Sequence, residues 1–292
     1  MTMMHRNTHA DNKRKKASSF FKGAKGIKLA WTEIVALVIV VFCLGFILGR
    51  ISMGDVSYDG PGKAKKVPVN EYDINSFYYD DNGRVWYDDD RYTSEQVIDV
   101  SYVQKEIDWE QVKADGIDRA MIRLGFRGYE TGNLMLDAYY EYNAKESKKA
   151  GVEAGVYFFS QAVSVDEAIE EARFVVKNLR GKKLKGPVAF DMEPIEGADR
   201  ITHLTTEERT AIADAFLSYV KKKGYEPMLY GNPTWLGGSL DRTLLTDYDV
   251  WLAHYTDYTN YPYDFTMWQY TSWGTVAGIT GDVDLNVHLI KK

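Results

Sequence analysis

The stretch GPVAFDMEP, Gly186 to Pro194, is an apolar run that ends in two acids one residue apart, Asp191 and Glu193. Read as a strand, its side chains alternate between two faces. Residues i and i+2 then share a face, with Cα atoms roughly 6.5–7 Å apart. Two carboxylates that close cannot both ionise freely, so the pKa of one rises and it can hold a proton near neutral pH. Buried acids are rare unless they are paired or used. The fold therefore turns on what else the chain brings to the end of this strand.

On either side, strand-like and helix-like segments alternate. The strand candidates are 97–101, 119–125, 153–159, 187–193, 226–231, 249–255, 265–270 and 276–285. Helices are expected from about Asp108, over 133–149, over 165–179 and over 206–223. The last two open on the capping patterns Ser164-x-x-Glu167 and Thr205-x-x-Glu208. Gly151, Gly181 and Gly224 stand where helices should stop. Alternating β and α implies a parallel sheet covered by helices. Some eight strands suggest closure into an irregular TIM-like (β/α) barrel, with fewer helices than strands because 249–285 leaves little room for them. No internal repeat is visible.

In such a barrel the site lies at the C-terminal ends of the strands. Acids recur there: Asp99 on the first strand, Asp191 and Glu193 on the fourth, Asp282 and Asp284 on the last. The plainer alternative is that they cap helices or pair with Arg123 and Arg127. A protonated acid beside an ionised one is what glycosidic bond cleavage uses. Glu193, longer and nearer the strand end, is assigned as the proton donor and Asp191 as its ionised partner. Tyr157, Tyr230, Trp251, Tyr255, Trp268, Tyr270 and Trp273 fall at or beyond strand ends. Sugars stack their C–H faces on aromatic rings, so Tyr157, Tyr230, Trp251, Trp268 and Tyr255 are the expected walls of the site.

The N-terminal part reads differently. Residues 1–28 hold eight Lys and Arg and one acid, Asp11, against −6 for the whole chain, so residues 29–292 carry −13. An acidic outer part argues against nucleic acid as a partner. The segment 29–49 lies within a run of about 20 largely apolar residues, enough for one transmembrane helix. The basic flank places the N-terminus in the cytoplasm and the rest outside the cell membrane. The expected layout is a basic cytoplasmic tail (1–28), a transmembrane helix (29–49), an extracellular linker (50–75), a β-hairpin leader about Asn82-Gly83 (76–96) and a barrel (97–292). The single cysteine, Cys43, lies in the apolar segment, which removes disulfides, thiol nucleophiles and Cys-based zinc sites from the outer part.

The motifs IDVS, IDWEQVKADGIDRAMIRLGFRG, GVYFFS, AFDMEP, WLAHY and MWQYTSWGTVAGITGDVDLN, in that order over Val97–Ile290, resemble the family 25 glycoside hydrolases, the Chalaropsis-type lysozymes. The hairpin YYDDNGRVWYDDD resembles a leader seen before some domains of that family. The resemblance implies an N-acetylmuramidase that cleaves the β-1,4 bond between N-acetylmuramic acid and N-acetylglucosamine in peptidoglycan glycan strands, with no metal or other cofactor. It places the family's carboxylates on Asp99, Asp191, Glu193 and Asp284. The sequence departs from the family's pattern after the first strand: Val103 stands where His is common and Lys105 where Gly is common. Two readings compete: a tethered wall-binding module without activity, and a metal-dependent phosphodiesterase. Only His254 among the histidines lies at a strand end, which disfavours the second.

Overall fold

The computed structural model describes residues 57–292. The basic tail and the apolar segment 29–49 lie outside the described residues. Among the described residues, no helix is long and apolar enough to cross a membrane.

Eight strands close into a barrel: β3 (Tyr92–Val100), β4 (Arg119–Arg127), β6 (Glu153–Ser160), β7 (Val188–Met192), β8 (Pro227–Gly231), β9 (Asp249–Ala253), β10 (Met267–Gly274) and β11 (Val283–Lys291). Pairing is parallel from β3 through β10. The closing strand β11 runs antiparallel to both neighbours, with Asp284 opposite Asp99 and Lys291 opposite Tyr92. A short strand β5 (Leu134–Leu136) pairs antiparallel with the end of β4. The described residues hold four α-helices: α1 (Trp109–Ala114), α2 (Tyr140–Ala150), α3 (Val165–Leu179) and α4 (Thr206–Lys222). The barrel is thus irregular and short of helices, as expected.

Alternation along each strand sorts the core into two parts. Outward residues such as Ile98, Ile122, Phe158, Phe190, Leu229, Leu252 and Val287 pack under the helices and the leader. Inward residues Val97, Met121, Ala189, Met228, Trp251 and Met267 fill the barrel. Helices α3 and α4 follow their capping patterns: Ser164 accepts from the Glu167 N–H at 3.2 Å, and Thr205 with Glu208 forms a full capping box. Each such cap is worth about 1 kcal/mol.

Three expectations shift. The last strand begins at Val283 rather than 276, because residues 276–282 form a loop. Gly278 lies at φ +89° there, and its carbonyl accepts the Asp108 N–H at 2.9 Å at the start of α1; a Cβ would meet the Asp108 carbonyl oxygen. The helix expected from 133 begins at Tyr140, since 134–136 is claimed by β5. In the hairpin, β1 (Phe77–Tyr79) and β2 (Val85–Tyr87) pair as expected, but only Gly83 takes a positive φ, +75°. Asp80 rather than Asn82 organises the turn: its carboxylate accepts from the Asn82 and Arg84 N–H groups, both at 2.9 Å.

The segment expected as a linker does not hang free from residue 57 onward. The Tyr58 hydroxyl donates to the Ala211 carbonyl at 3.1 Å, the Lys65 N–H to the Thr243 carbonyl at 2.8 Å, and the Tyr72 hydroxyl to the Phe265 carbonyl at 2.6 Å. Residues 57–75, the hairpin and the barrel form one compact unit. The reason is the shortage of helices. The outward faces of β10 and β11 would otherwise meet water. Instead Phe77 packs edge-on against Trp268 at 5.5 Å, Tyr72 packs on Tyr87 and Phe265, and Val85 and Tyr87 are buried. Each fully buried aromatic or branched side chain contributes about 1.5–3 kcal/mol.

Beyond β3, Ser101 caps a one-turn helix, Tyr102–Gln104, which ends on Lys105 at φ +57°, ψ −133°. No other non-glycine residue among those described has a positive φ. This explains why glycine suits the position, since an L side chain there costs about 1–3 kcal/mol. Lys105→Gly is expected to raise stability by about 1 kcal/mol, or roughly 2–4 °C in melting temperature. A thermal melt of the two proteins that shows no gain would argue against strain at this turn.

Candidate active site

Inward parity brings the acids together. Asp99 on β3 and Asp284 at the start of β11 are direct cross-strand partners. Asp284 reaches the mouth only because β11 runs backwards, so its first residues lie beside the last residues of β3. Like charges directly opposed across a ladder are unfavourable. Asp191 is the inward residue near the end of β7, with Glu193 two residues on.

The two arginines that might have neutralised these acids are committed elsewhere. Arg123 lies 2.7 Å from Asp137 and stacks between Tyr102 (4.9 Å) and Phe126 (5.2 Å). Arg127 bonds Glu171 at 2.7 Å and Glu170 at 2.9 Å on α3. Neither arginine makes a direct ion pair with the mouth acids, although the Arg123 charge pulls Asp191 down somewhat.

Asp99 is held by two amides. Gln269 and Asn286 each donate an N–H to its Oδ2 at 2.9 Å. Both amides are locked in that sense from behind. Gln269 Oε1 accepts the hydroxyls of Tyr230 and Tyr255, each at 3.0 Å. Asn286 Oδ1 accepts the indole N–H of Trp251 at 2.6 Å. Burial, then the charge of Asp284, pushes the Asp99 carboxyl well up; the two amides pull it down.

Asp191 and Glu193 share a hydrogen bond. Burial first, then the Glu193 charge and that bond, raise Asp191 well above the usual carboxylate range. Burial also raises Glu193, but the bond from Asp191 lowers it. Length and position along the strand assign the donated proton to Glu193, and burial raises both carboxyls, so the pair as a unit favours holding a proton. The other Asp191 oxygen, Oδ1, is buried without a hydrogen-bond partner. A buried polar atom left unsatisfied costs about 1–3 kcal/mol, so this is a place for a donor that arrives from outside.

The cleft beside Glu193 encloses about 390 Å³ and is lined by Tyr230, Asn232, Ala253, His254 and Tyr255. A larger cavity of about 640 Å³ lies between α1, the end of α2 and residues 278–280, lined by none of the four acids. Tyr255 is 57% exposed and forms an open wall of the cleft. Tyr157 and Tyr230 pack edge-on against Trp251 at 5.9 and 4.7 Å, so these three form a floor rather than a stacking face. Trp268, expected as a wall, points the other way. Its ring lies outside the barrel under Phe77, and its indole donates to the His254 carbonyl at 2.8 Å. Gln269 and Asn286 were not singled out as site residues from sequence. The signal was present: both are polar at inward parity positions, Asn286 two residues from Asp284. Among the described residues, no group of three or more His, Cys, Asp or Glu side chains is arranged to hold a metal ion.

Burial raises the Asp284 carboxyl from its ordinary 3.8 to about 6. A carboxyl raised in the folded state favours folding below its unfolded pKa, and that advantage is lost as pH rises through the folded value. Asp284→Asn is therefore expected to stabilise the protein at pH 7, by about 2 kcal/mol or roughly 4–8 °C, and to have little effect at pH 3.5. Melting temperatures at the two pH values test this. An equal gain at both would mean that ionisation is not the cause.

The sequence pattern of the family described as Glycosyl hydrolases family 25 matches residues 98–279. Lysozyme M1 of Streptomyces globisporus is 28% identical over 204 residues, covering 65% of this chain and 66% of the relative. The modular autolysin LytC from Streptococcus pneumoniae, solved in complex with a synthetic peptidoglycan ligand, superposes with a TM-score of 0.60 at 24% identity. That match covers 73% of this chain and 52% of LytC, so the chain spans about half of that protein. A family 25 glycosyl hydrolase from Bacillus anthracis superposes with a TM-score of 0.56 at 18% identity, over 80% of this chain and 94% of that one. With a match to well over half its length and the barrel to go with it, this chain carries a glycoside hydrolase domain and belongs to glycosyl hydrolases family 25.

Proposed function

We propose that the protein is an N-acetylmuramidase that cleaves the β-1,4 bond between N-acetylmuramic acid and N-acetylglucosamine in peptidoglycan. The observation that carries this is the buried Asp191–Glu193 pair, which holds a proton by hydrogen bonding and leaves Asp191 Oδ1 without a partner. Both sugars carry a 2-acetamido group, whose N–H supplies the missing donor. A donor to Asp191 favours its charged form. Substrate binding would therefore move the shared proton across the existing hydrogen bond onto Glu193.

From there the steps follow. Glu193 gives its proton to the glycosidic oxygen as the C1–O bond breaks. The acetamido carbonyl oxygen attacks C1 to form an oxazolinium, and the Asp191 carboxylate stabilises its N–H. Water then adds at C1 and returns a proton to Glu193, so the configuration at C1 is retained. Asp99 and Asp284 hold charge at the mouth and orient the sugar. The lysozyme relative and the peptidoglycan-bound autolysin support the same substrate class.

The segment 29–49 supports a second part of the reading: a single-pass anchor in the cell membrane, with the N-terminus cytoplasmic and the barrel outside, so that cutting is local wall remodelling.

Glu193→Gln is expected to lower kcat on purified peptidoglycan by at least about 10³-fold with the fold intact. The same digests, reduced with borohydride and read by mass spectrometry, should show muramic acid at the new reducing end. Reduced glucosamine there would make the enzyme a glucosaminidase, and activity of the variant within a few-fold of wild type would remove Glu193 from the mechanism.

A further inference from the structure

The leader hairpin and the mouth loop meet just outside the cleft. The loop after β9, residues 254–261, carries Tyr255 into the cleft. Three residues further, Tyr258 is 54% exposed, and its ring meets that of Tyr79, 41% exposed, edge-on at 6.4 Å. The Tyr79 hydroxyl donates to the Asp257 carbonyl at 2.8 Å. On the same face of β1, Phe77 packs on Trp268, whose indole holds the His254 carbonyl at 2.8 Å. The hairpin thus fastens the loop at two points while leaving much of both tyrosine rings open to solvent. The residues matched to the family begin at 98, so Tyr79 is an addition to the matched domain.

Resting on the muramidase reading, we propose that Tyr79 and Tyr258 form a distal sugar-binding site that continues the cleft beyond Tyr255. It takes a ring of the same glycan strand away from the bond being cut. Phenol rings offer a flat face for sugar C–H groups. Two such rings at right angles, fixed by a backbone hydrogen bond, lose little freedom on binding. Continuity is through one short loop: Tyr255 and Tyr258 share it, and the Thr256 hydroxyl bonds the Tyr258 carbonyl at 3.4 Å within it. A ring bound there makes no contact with the four acids, so the site contributes to binding long strands and not to the chemical step.

The test compares full-chain wild type, Tyr79→Ala, Tyr258→Ala and Tyr79→Phe on long glycan strands and on the shortest soluble peptidoglycan oligosaccharide that wild type cuts. Each alanine variant is expected to raise KM on long strands about five- to tenfold with kcat unchanged, and to stay within about twofold on the short substrate. Tyr79→Phe keeps the ring and loses only the hydroxyl bond, so it should stay close to wild type on both. Equal losses on both substrates, a fall in kcat, or a Tyr79→Phe defect as large as that of Tyr79→Ala would make the hairpin a brace and overturn the site. So would an unchanged KM on long strands. Wild type that cuts neither substrate would overturn the muramidase reading itself, a result distinct from all of these.

Discussion

The constraint on which this structure depends is the crowding of four carboxyls at one end of a closed barrel. Water is largely excluded there, so each charge is costly alone and more costly beside the others. No arginine forms a direct ion pair with these carboxyls: Arg123 pairs with Asp137 and acts on Asp191 only through its charge, and Arg127 pairs with α3. The protein manages protons instead. One is shared between Asp191 and Glu193, and burial pushes Asp284 up to about 6. Stability given up in this way is what a proton-transferring site requires, since a fully neutralised cluster would have no group ready to give or take a proton.

The amide pair at Asp99 shows how position is enforced within that crowd. A free amide can flip. Here Tyr230 and Tyr255 occupy the Gln269 oxygen, and Trp251 occupies the Asn286 oxygen, so both nitrogens face one carboxylate oxygen. The aromatic residues of the barrel interior therefore work partly through their polar ends. Trp251 forms the floor of the site and orients Asn286, and Tyr255 has a ring at the cleft and a hydroxyl in the network.

A barrel with few helices has bare walls, and the same economy explains the leader. The segment from residue 57 to the hairpin covers the outward faces of β10 and β11 that helices cover elsewhere. Because the loop after β9 lies on that side, the covering also reaches the mouth. Packing outside the barrel and geometry at the cleft are consequently linked through Phe77, Trp268 and the His254 carbonyl.

Much of this was written in local pattern. Spacing put Asp191 and Glu193 on one face, the capping residues placed the starts of α3 and α4, and short motifs along the chain pointed to the family. Those features depend on neighbours within a few residues, which is why sequence alone determined them. Others depended on which strand lies beside which. Trp251 and Trp268 read alike, yet the register pairs Trp268 with Leu252 and so turns one ring inward and the other out. The direction of β11 decided that Asp284 faces Asp99. Burial, which only the closed barrel sets, raises both members of the Asp191–Glu193 pair. Strands apolar on both faces carry no mark of their inner side; barrel closure supplies it.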